Sequence, residues 1–204
     1  MELDPLSLDD RRRYGLMISL IQPRPIAWVS TADPEGRRNL APFSFFTGIT
    51  AKPLTVCFCP VRTRHGKKKD TLLNVEETKQ FVVNLAVESN ARQMVATSAD
   101  VERGVDEFAL AGLTPLPSLK VKPPRVKESP AALECELHSI VTISEGALGG
   151  TLVIGTVTHI HIDDALWKDG AFTHKDLKPV GRLGGAWYTT TKDDFEIPRP
   201  GGGA

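Results

Sequence analysis

Residues 24–50 read RPIAWVSTADPEGRRNLAPFSFFTGIT, and the rest of the chain is organised around them. Residues 24–31 predict a strand, Ala32-Asp33-Pro34-Glu35-Gly36 a turn, and the segment after it a return strand running into the aromatic turn Ala41-Pro42-Phe43-Ser44-Phe45-Phe46. Pro42 has no backbone donor and is expected to interrupt the ladder there. The amides of Phe43, Ser44 and Phe45 would then face outward beside three large rings, a combination suited to a flat aromatic ligand with a polar edge. A hairpin whose aromatics are simply core accounts for the same residues, and this stretch alone does not separate the two.

On the N-terminal side, Ser7 and Asp10 stand at capping-box spacing ahead of Leu16, Met17, Leu20 and Ile21, which predicts a helix over 7–21 ending before Pro23. On the C-terminal side, the apolar run 54–59 between Pro53 and Pro60 reads as a buried strand, with Thr55, Cys57 and Cys59 on one face. A short helix over 71–78 with Asp70 as N-cap follows, then a strand over 81–87. Residues 88–111 read as helical pieces with Met94, Val95, Val105, Phe108, Ala109 and Ala111 as candidate buried positions. Pro115, Pro117, Pro123 and Pro124 mark an extended surface crossing. Residues 133–143 alternate, with Leu133, Cys135, Leu137, Val141 and Ile143 on one face and Glu134, Glu136, His138 and Thr142 on the other. A glycine-rich turn links them to a partner strand over 151–163, the longest hairpin. About six strands joined by short turns, with helices at the start and middle, predict a mainly β protein with added helices, an antiparallel barrel or sandwich. Gly146, Gly149 and Gly150 precede a strand, so no dinucleotide-binding glycine loop of the Rossmann kind is visible.

The length of 204 residues suits one domain, expected over 1–194, with a flexible tail over 195–204. A net charge of zero argues against wholesale binding to nucleic acid or anionic membrane. The opening MELDPLSLDDRRR lacks the apolar core of a signal peptide and no apolar run reaches the roughly 20 residues of a membrane span, which predicts a cytoplasmic protein. Three cysteines, an odd count, read as reduced side chains rather than a disulfide framework.

The second feature is Arg62-Thr63-Arg64-His65-Gly66-Lys67-Lys68-Lys69-Asp70-Thr71, a basic run just ahead of a predicted helix start. Unpaired helix amides, a partial positive charge and adjoining cations suit a phosphate monoester, and Thr71 would add a hydroxyl donor. A solvated basic loop explains the same run without a ligand. The Gly-Lys-Ser/Thr ending of a P-loop is absent.

Taken in order, RPIAWVST, NLAPFSFF, KDTLLN followed by FVVN, ECELHSIV, GTLVIGTV and PVGRLGGAWY resemble the flavin reductase-like family of FMN-binding split barrels, over about residues 10–190. The resemblance implies a Greek-key antiparallel split β-barrel, a homodimer, and one FMN per subunit near the dimer interface. Carried onto this sequence, it implies that Ser30, Thr31, Phe43, Ser44 and Phe45 face the ring and ribityl chain, that Arg64, Lys69 and Thr71 hold the phosphate, and that Asn39 assists. It further implies hydride transfer from NADH or NADPH to flavin N5, with no side chain required as acid or base. A monooxygenase or another redox protein would receive the electrons. A flavoredoxin-like electron carrier that keeps FMN without oxidising a nicotinamide needs the same pocket, and a binding protein without turnover is a third possibility.

Arg182 and Tyr188, in GRLGGAWY, are candidates to cover the pocket, although an arginine in a glycine-bounded turn is often a structural clamp. His159 and His161 share a strand face, as do Cys57 and Cys59, but neither pair has an evident third ligand, and no metal is expected. His138 reads as a surface or interface histidine, and Trp28 as core with its N–H seeking a partner.

Overall fold

The computed structural model describes residues 1–198, 200 and 201; of the expected tail, residue 199 and residues 202–204 lie outside them. Helix α1 (Asp10–Leu20) begins one turn later than the sequence predicts, because Asp9 caps it through the amide of Arg12, while Ser7 lies in a separate turn, Pro5–Ser7. Strands β1 (Ala27–Ala32), β2 (Arg38–Phe43), β3 (Phe46–Ala51) and β4 (Leu54–Phe58) follow, then α2 (Asp70–Thr78) and β5 (Gln80–Leu85). Helices α3 (Ala91–Ala96) and α4 (Glu107–Leu110) and the short strands β6 (Pro115–Leu116) and β7 (Arg125–Val126) precede the long hairpin of β8 (Ala131–Thr142) and β9 (Thr151–Ile162). Helix α5 (His174–Leu177) leads to the small hairpin of β10 (Gly181–Arg182) and β11 (Tyr188–Thr189).

Seven strands form one antiparallel sheet in the order β2-β1-β5-β8-β9-β4-β3. Strands β2 and β3 stand at its opposite edges, yet only Ser44 and Phe45 separate them in the chain. The three Cα–Cα steps from Phe43 to Phe46 span no more than about 11 Å, so the sheet must roll until its edges meet at that corner. The Phe45 carbonyl accepts the amide of Cys59 there (2.9 Å), and no ladder joins β2 to β3 among the described residues. The result is a split barrel. After β4 the chain returns through α2 to lay β5 beside β1, which is the Greek-key step.

Strand β1 is buried on both faces. One face, with Ala27 and Val29, points into the barrel, where Val56, Phe58, Phe81, Val83 and Cys135 meet Leu72 and Val75 of α2. The other carries Trp28, packed with Leu40, Met94, Phe108 and Val126, and its indole N–H donates to Thr97 Oγ1 (2.9 Å). Gly155 on β9 makes room for Phe81, whose ring a Cβ there would overlap.

Two expectations are corrected by the register. Pro42 does not interrupt the ladder: it pairs with Trp28, and Phe43 still pairs with Ala27. Strand β2 is a sheet edge, and the Leu40 amide, two residues before Pro42, points outward to Glu107 Oε2 (3.0 Å). Outward amides alternate along the strand, so Pro42 stands where no partner strand asks for a donor. Glu134 is not on a polar face. It is fully buried, because a register shift after it and the overlying 119–121 segment enclose it. Likewise Val95, Val105 and Ala109 are exposed, whereas Met94 and Phe108 are buried as their spacing predicts.

Candidate functional site

The chain between β4 and α2 is shaped by Thr63, whose amide and carbonyl bond Lys67 O and Gly66 N (both 2.9 Å) while its hydroxyl accepts the Lys67 amide (3.0 Å). Gly66 takes φ +76°, which closes this turn. Lys67, Lys68 and Lys69 are thereby delivered to the start of α2. Lys69, not Asp70, is the N-cap residue; it offers no capping side chain, and Asp70 is the first helical residue. The Leu72 and Leu73 amides bond the Lys69 carbonyl (3.0 and 3.2 Å), whereas those of Asp70 and Thr71 have no acceptor among the described residues. An uncapped helix start beside three lysines favours an anion.

Thr71 is buried, and its Oγ1 accepts from Asn39 Nδ2 (2.8 Å). With its lone pair engaged, the hydroxyl keeps its own hydrogen for another acceptor. Thr31 Oγ1 accepts from Asn39 (3.2 Å) and from Asn74 (3.0 Å), so one chain of hydrogen bonds ties β1, β2 and α2 together behind Thr71.

A cleft of about 600 Å³ lies between the helix start and β2, with Ala41, Pro42 and Phe43 along one side and the 97–103 segment along another. That volume falls in the usual range for small-molecule sites. Lys68 is held by Glu76 (2.7 Å) and Lys69 lies 3.4 Å from Asp100. Both pairs reach solvent and are weak enough to be exchanged for a ligand anion. Glu107 lies at the cleft with its carboxylate on the Leu40 amide; burial pushes its pKa up, and the neighbouring Asp70 and Asp106 add to the rise.

Of the residues the sequence singled out, Asn39, Phe43, Lys69 and Thr71 line this one cleft. Thr31 stands behind them in the hydrogen-bond chain. Ser30 is fully buried, donates to Pro124 O (2.5 Å) and accepts from Asn84 (3.2 Å), away from the cleft. Ser44 accepts from Arg24 Nε (3.3 Å), and Phe45 packs edge-on against Tyr14 at 6.4 Å. Arg64 is exposed and is not part of the lining. Arg182 lies over the Tyr188 ring at 4.4 Å in the β10–β11 hairpin, also outside the lining. Neither the 97–103 wall nor Glu107 carries a recognisable motif, so neither was visible before the fold was known; Arg24 could have been suspected from its place between two prolines.

His159 and His161 lie together, rings 4.6 Å apart, but His161 Nε2 is engaged by Glu134, and no group of three metal-ligating side chains occurs among the described residues. Cys57, Cys59 and Cys135 are free thiols, their pKa values raised by burial.

A family model described as a flavin reductase-like domain matches residues 20–178. A relative from Halalkalibacterium halodurans is 36% identical, the match covering 98% of this chain and 97% of that one. The crystal structure of nitrilotriacetate monooxygenase component B from Bacillus cereus is 32% identical with a TM-score of 0.91, covering 97% of this chain and 98% of that one. That of 2-nitrobenzoate 2-nitroreductase from Pseudomonas fluorescens is 30% identical with a TM-score of 0.88, covering 98% and 97%.

Proposed function

Because the chain belongs to the flavin reductase-like family, we propose that it is a flavin-dependent oxidoreductase which holds FMN in the cleft between β2 and α2 and reduces flavin with NADH or NADPH. One observation carries the reading: an apolar wall ending in Phe43 and a cationic, uncapped helix start line the same cleft. The residues fit the group. The amides of Asp70 and Thr71, the Thr71 hydroxyl and Lys69 supply donors and charge for a phosphate, and Phe43 with Pro42 supplies a surface for a flat ring. Bound FMN would supply a hydride-accepting N5 and pass electrons onward, chemistry that belongs to the cofactor. The chain's own part is to fix the phosphate end, orient the ring and exclude water.

A homodimer is part of the proposal, supported by the exposed apolar side chains of α1. Delivery of electrons to a monooxygenase or another redox protein is supported by the likeness to a monooxygenase component B.

The test is the spectrum of the purified protein, followed by anaerobic addition of NADH or NADPH. A yellow protein bleached near the flavin band is the expected result. A yellow protein that both nicotinamides leave oxidised would favour an electron carrier, and a colourless protein that takes up no FMN would overturn the reading.

A further inference from the structure

Glu107 is 5% exposed and lines the cleft, yet no cation meets its carboxylate among the described residues. Its place follows from its neighbours: Asp106 caps α4 through the Phe108 amide (3.0 Å), and the buried Phe108 anchors the helix over Trp28 and Leu40. Glu107 Oε2 accepts the outward amide of Leu40 (3.0 Å), and no donor of another residue reaches Oε1 among the described residues. A buried carboxylate without a counter-ion is unfavourable, and protonation relieves it.

The surrounding charges do not supply that counter-ion. From β2, Arg38 is turned to Asp106 (2.5 Å) and its guanidinium lies over the Phe108 ring. From the approach to α2, Lys68 goes to Glu76 and Lys69 to Asp100, while His65 and Lys67 line the cleft without pairing with Glu107. From the 97–103 segment, Arg103 reaches Glu77 (3.6 Å), and Asp100 and Glu102 bring more negative charge. Burial pushes the pKa of Glu107 up against the pull of the Leu40 amide, and Asp70 and Asp106 raise it further.

Covalent geometry ties Glu107 to the start of α2. It bonds the amide of Leu40, and the side chain of the preceding residue, Asn39, bonds Thr71 Oγ1 (2.8 Å). The path from carboxylate to hydroxyl is therefore no longer than about 12 Å. Asp70, whose amide is one of the two free donors there, already acts on Glu107 through its charge. A phosphate monoester on that amide adds nearly two negative charges in a space that salt screens poorly.

We propose that Glu107 takes up a proton when a phosphate monoester dianion binds at the start of α2, so that pH sets how tightly the cleft holds its flavin. The inference rests on the flavin reading of that cleft. Below the pKa of Glu107 in the free protein the side chain is already neutral and FMN meets no repulsion. As pH rises through that value and then through the higher one of the complex, binding must draw a proton from solvent and affinity falls. Both values lie above the ordinary glutamate pKa of about 4.3.

The test compares FMN and riboflavin affinities of wild type and Glu107→Gln at pH 5 and pH 8. Glutamine keeps the shape and the acceptor for Leu40 and is neutral at both. For FMN, the affinity of the variant relative to wild type should rise at least about threefold from pH 5 to pH 8; for riboflavin, which has no phosphate, the ratio should stay constant. A ratio for FMN that does not change with pH would overturn the inference and leave Glu107 a support for the β2 edge. So would the same rise with riboflavin. If Glu107→Gln does not fold, wild type decides by itself: calorimetry at pH 7 in buffers of different ionisation heat should show proton uptake with FMN and none with riboflavin, and no uptake with FMN would end the inference. A protein that takes up no FMN would remove the flavin reading alone. Inorganic phosphate then serves as the anion, and the same rise in the ratio keeps the role of Glu107 whereas a constant ratio refutes it.

Discussion

Glu134 is a carboxylate with no exposed surface, held by the amides of Leu119 (2.7 Å), Lys120 (2.6 Å) and Val121 (3.2 Å) and by His161. Burial alone would raise its pKa; the amides and the imidazole outweigh that and hold it below the usual carboxylate range. A carboxyl lowered on folding adds stability above the ordinary glutamate pKa of about 4.3 and loses it as pH falls through the folded value. Glu134→Gln should therefore unfold at lower urea than wild type at neutral pH, by on the order of 3 kcal/mol, with the gap closing toward strongly acidic pH. A gap that does not change with pH would assign the loss to packing alone. Period-two alternation puts Glu134 beside Glu136 and His138 on a polar face, and it fails here because the groups that cover the residue come from a loop earlier in the chain. By contrast Trp28 was legible as core from its neighbours alone, and its indole found the partner that burial requires.

Among the elements, α1 is the one whose spacing was readable and whose burial was not. Its apolar positions recur with helical period, yet Leu20 and Ile21 are 80% and 58% exposed. Periodicity reports that a helix has an apolar side, and is silent about which chain covers it. Under the proposed dimer a second copy does so. Replacing Leu20 and Ile21 together with glutamate should convert a dimer to a folded monomer in sedimentation equilibrium, with the far-ultraviolet spectrum preserved. A double variant that sediments as wild type does would take α1 out of the interface. Strand β2 shows the complementary limit: its proline looked like a break because sequence does not reveal that the strand is an edge, where a missing outward donor has no consequence.

Across the whole molecule, the Greek-key return sets α2 against the turn end of the β1–β2 hairpin, and only then do residues far apart in sequence share a cleft. The aromatic bend and the basic helix start were both legible as stretches, because each carries its own local chemistry. The third wall, residues 97–103, was not, since its place depends on where α3 and α4 pack over Trp28 and Leu40. In the proposed site, Phe43 at one end and Lys69 with Thr71 at the other grip a single mononucleotide. The most direct measurement compares FMN and riboflavin affinities in wild type and in a variant carrying Lys69→Ala and Thr71→Val. Each charge-assisted contact is worth about 1.5–3 kcal/mol, so the variant should weaken FMN at least about tenfold and leave riboflavin within about twofold. Equal weakening of both ligands, or of neither, would contradict the account.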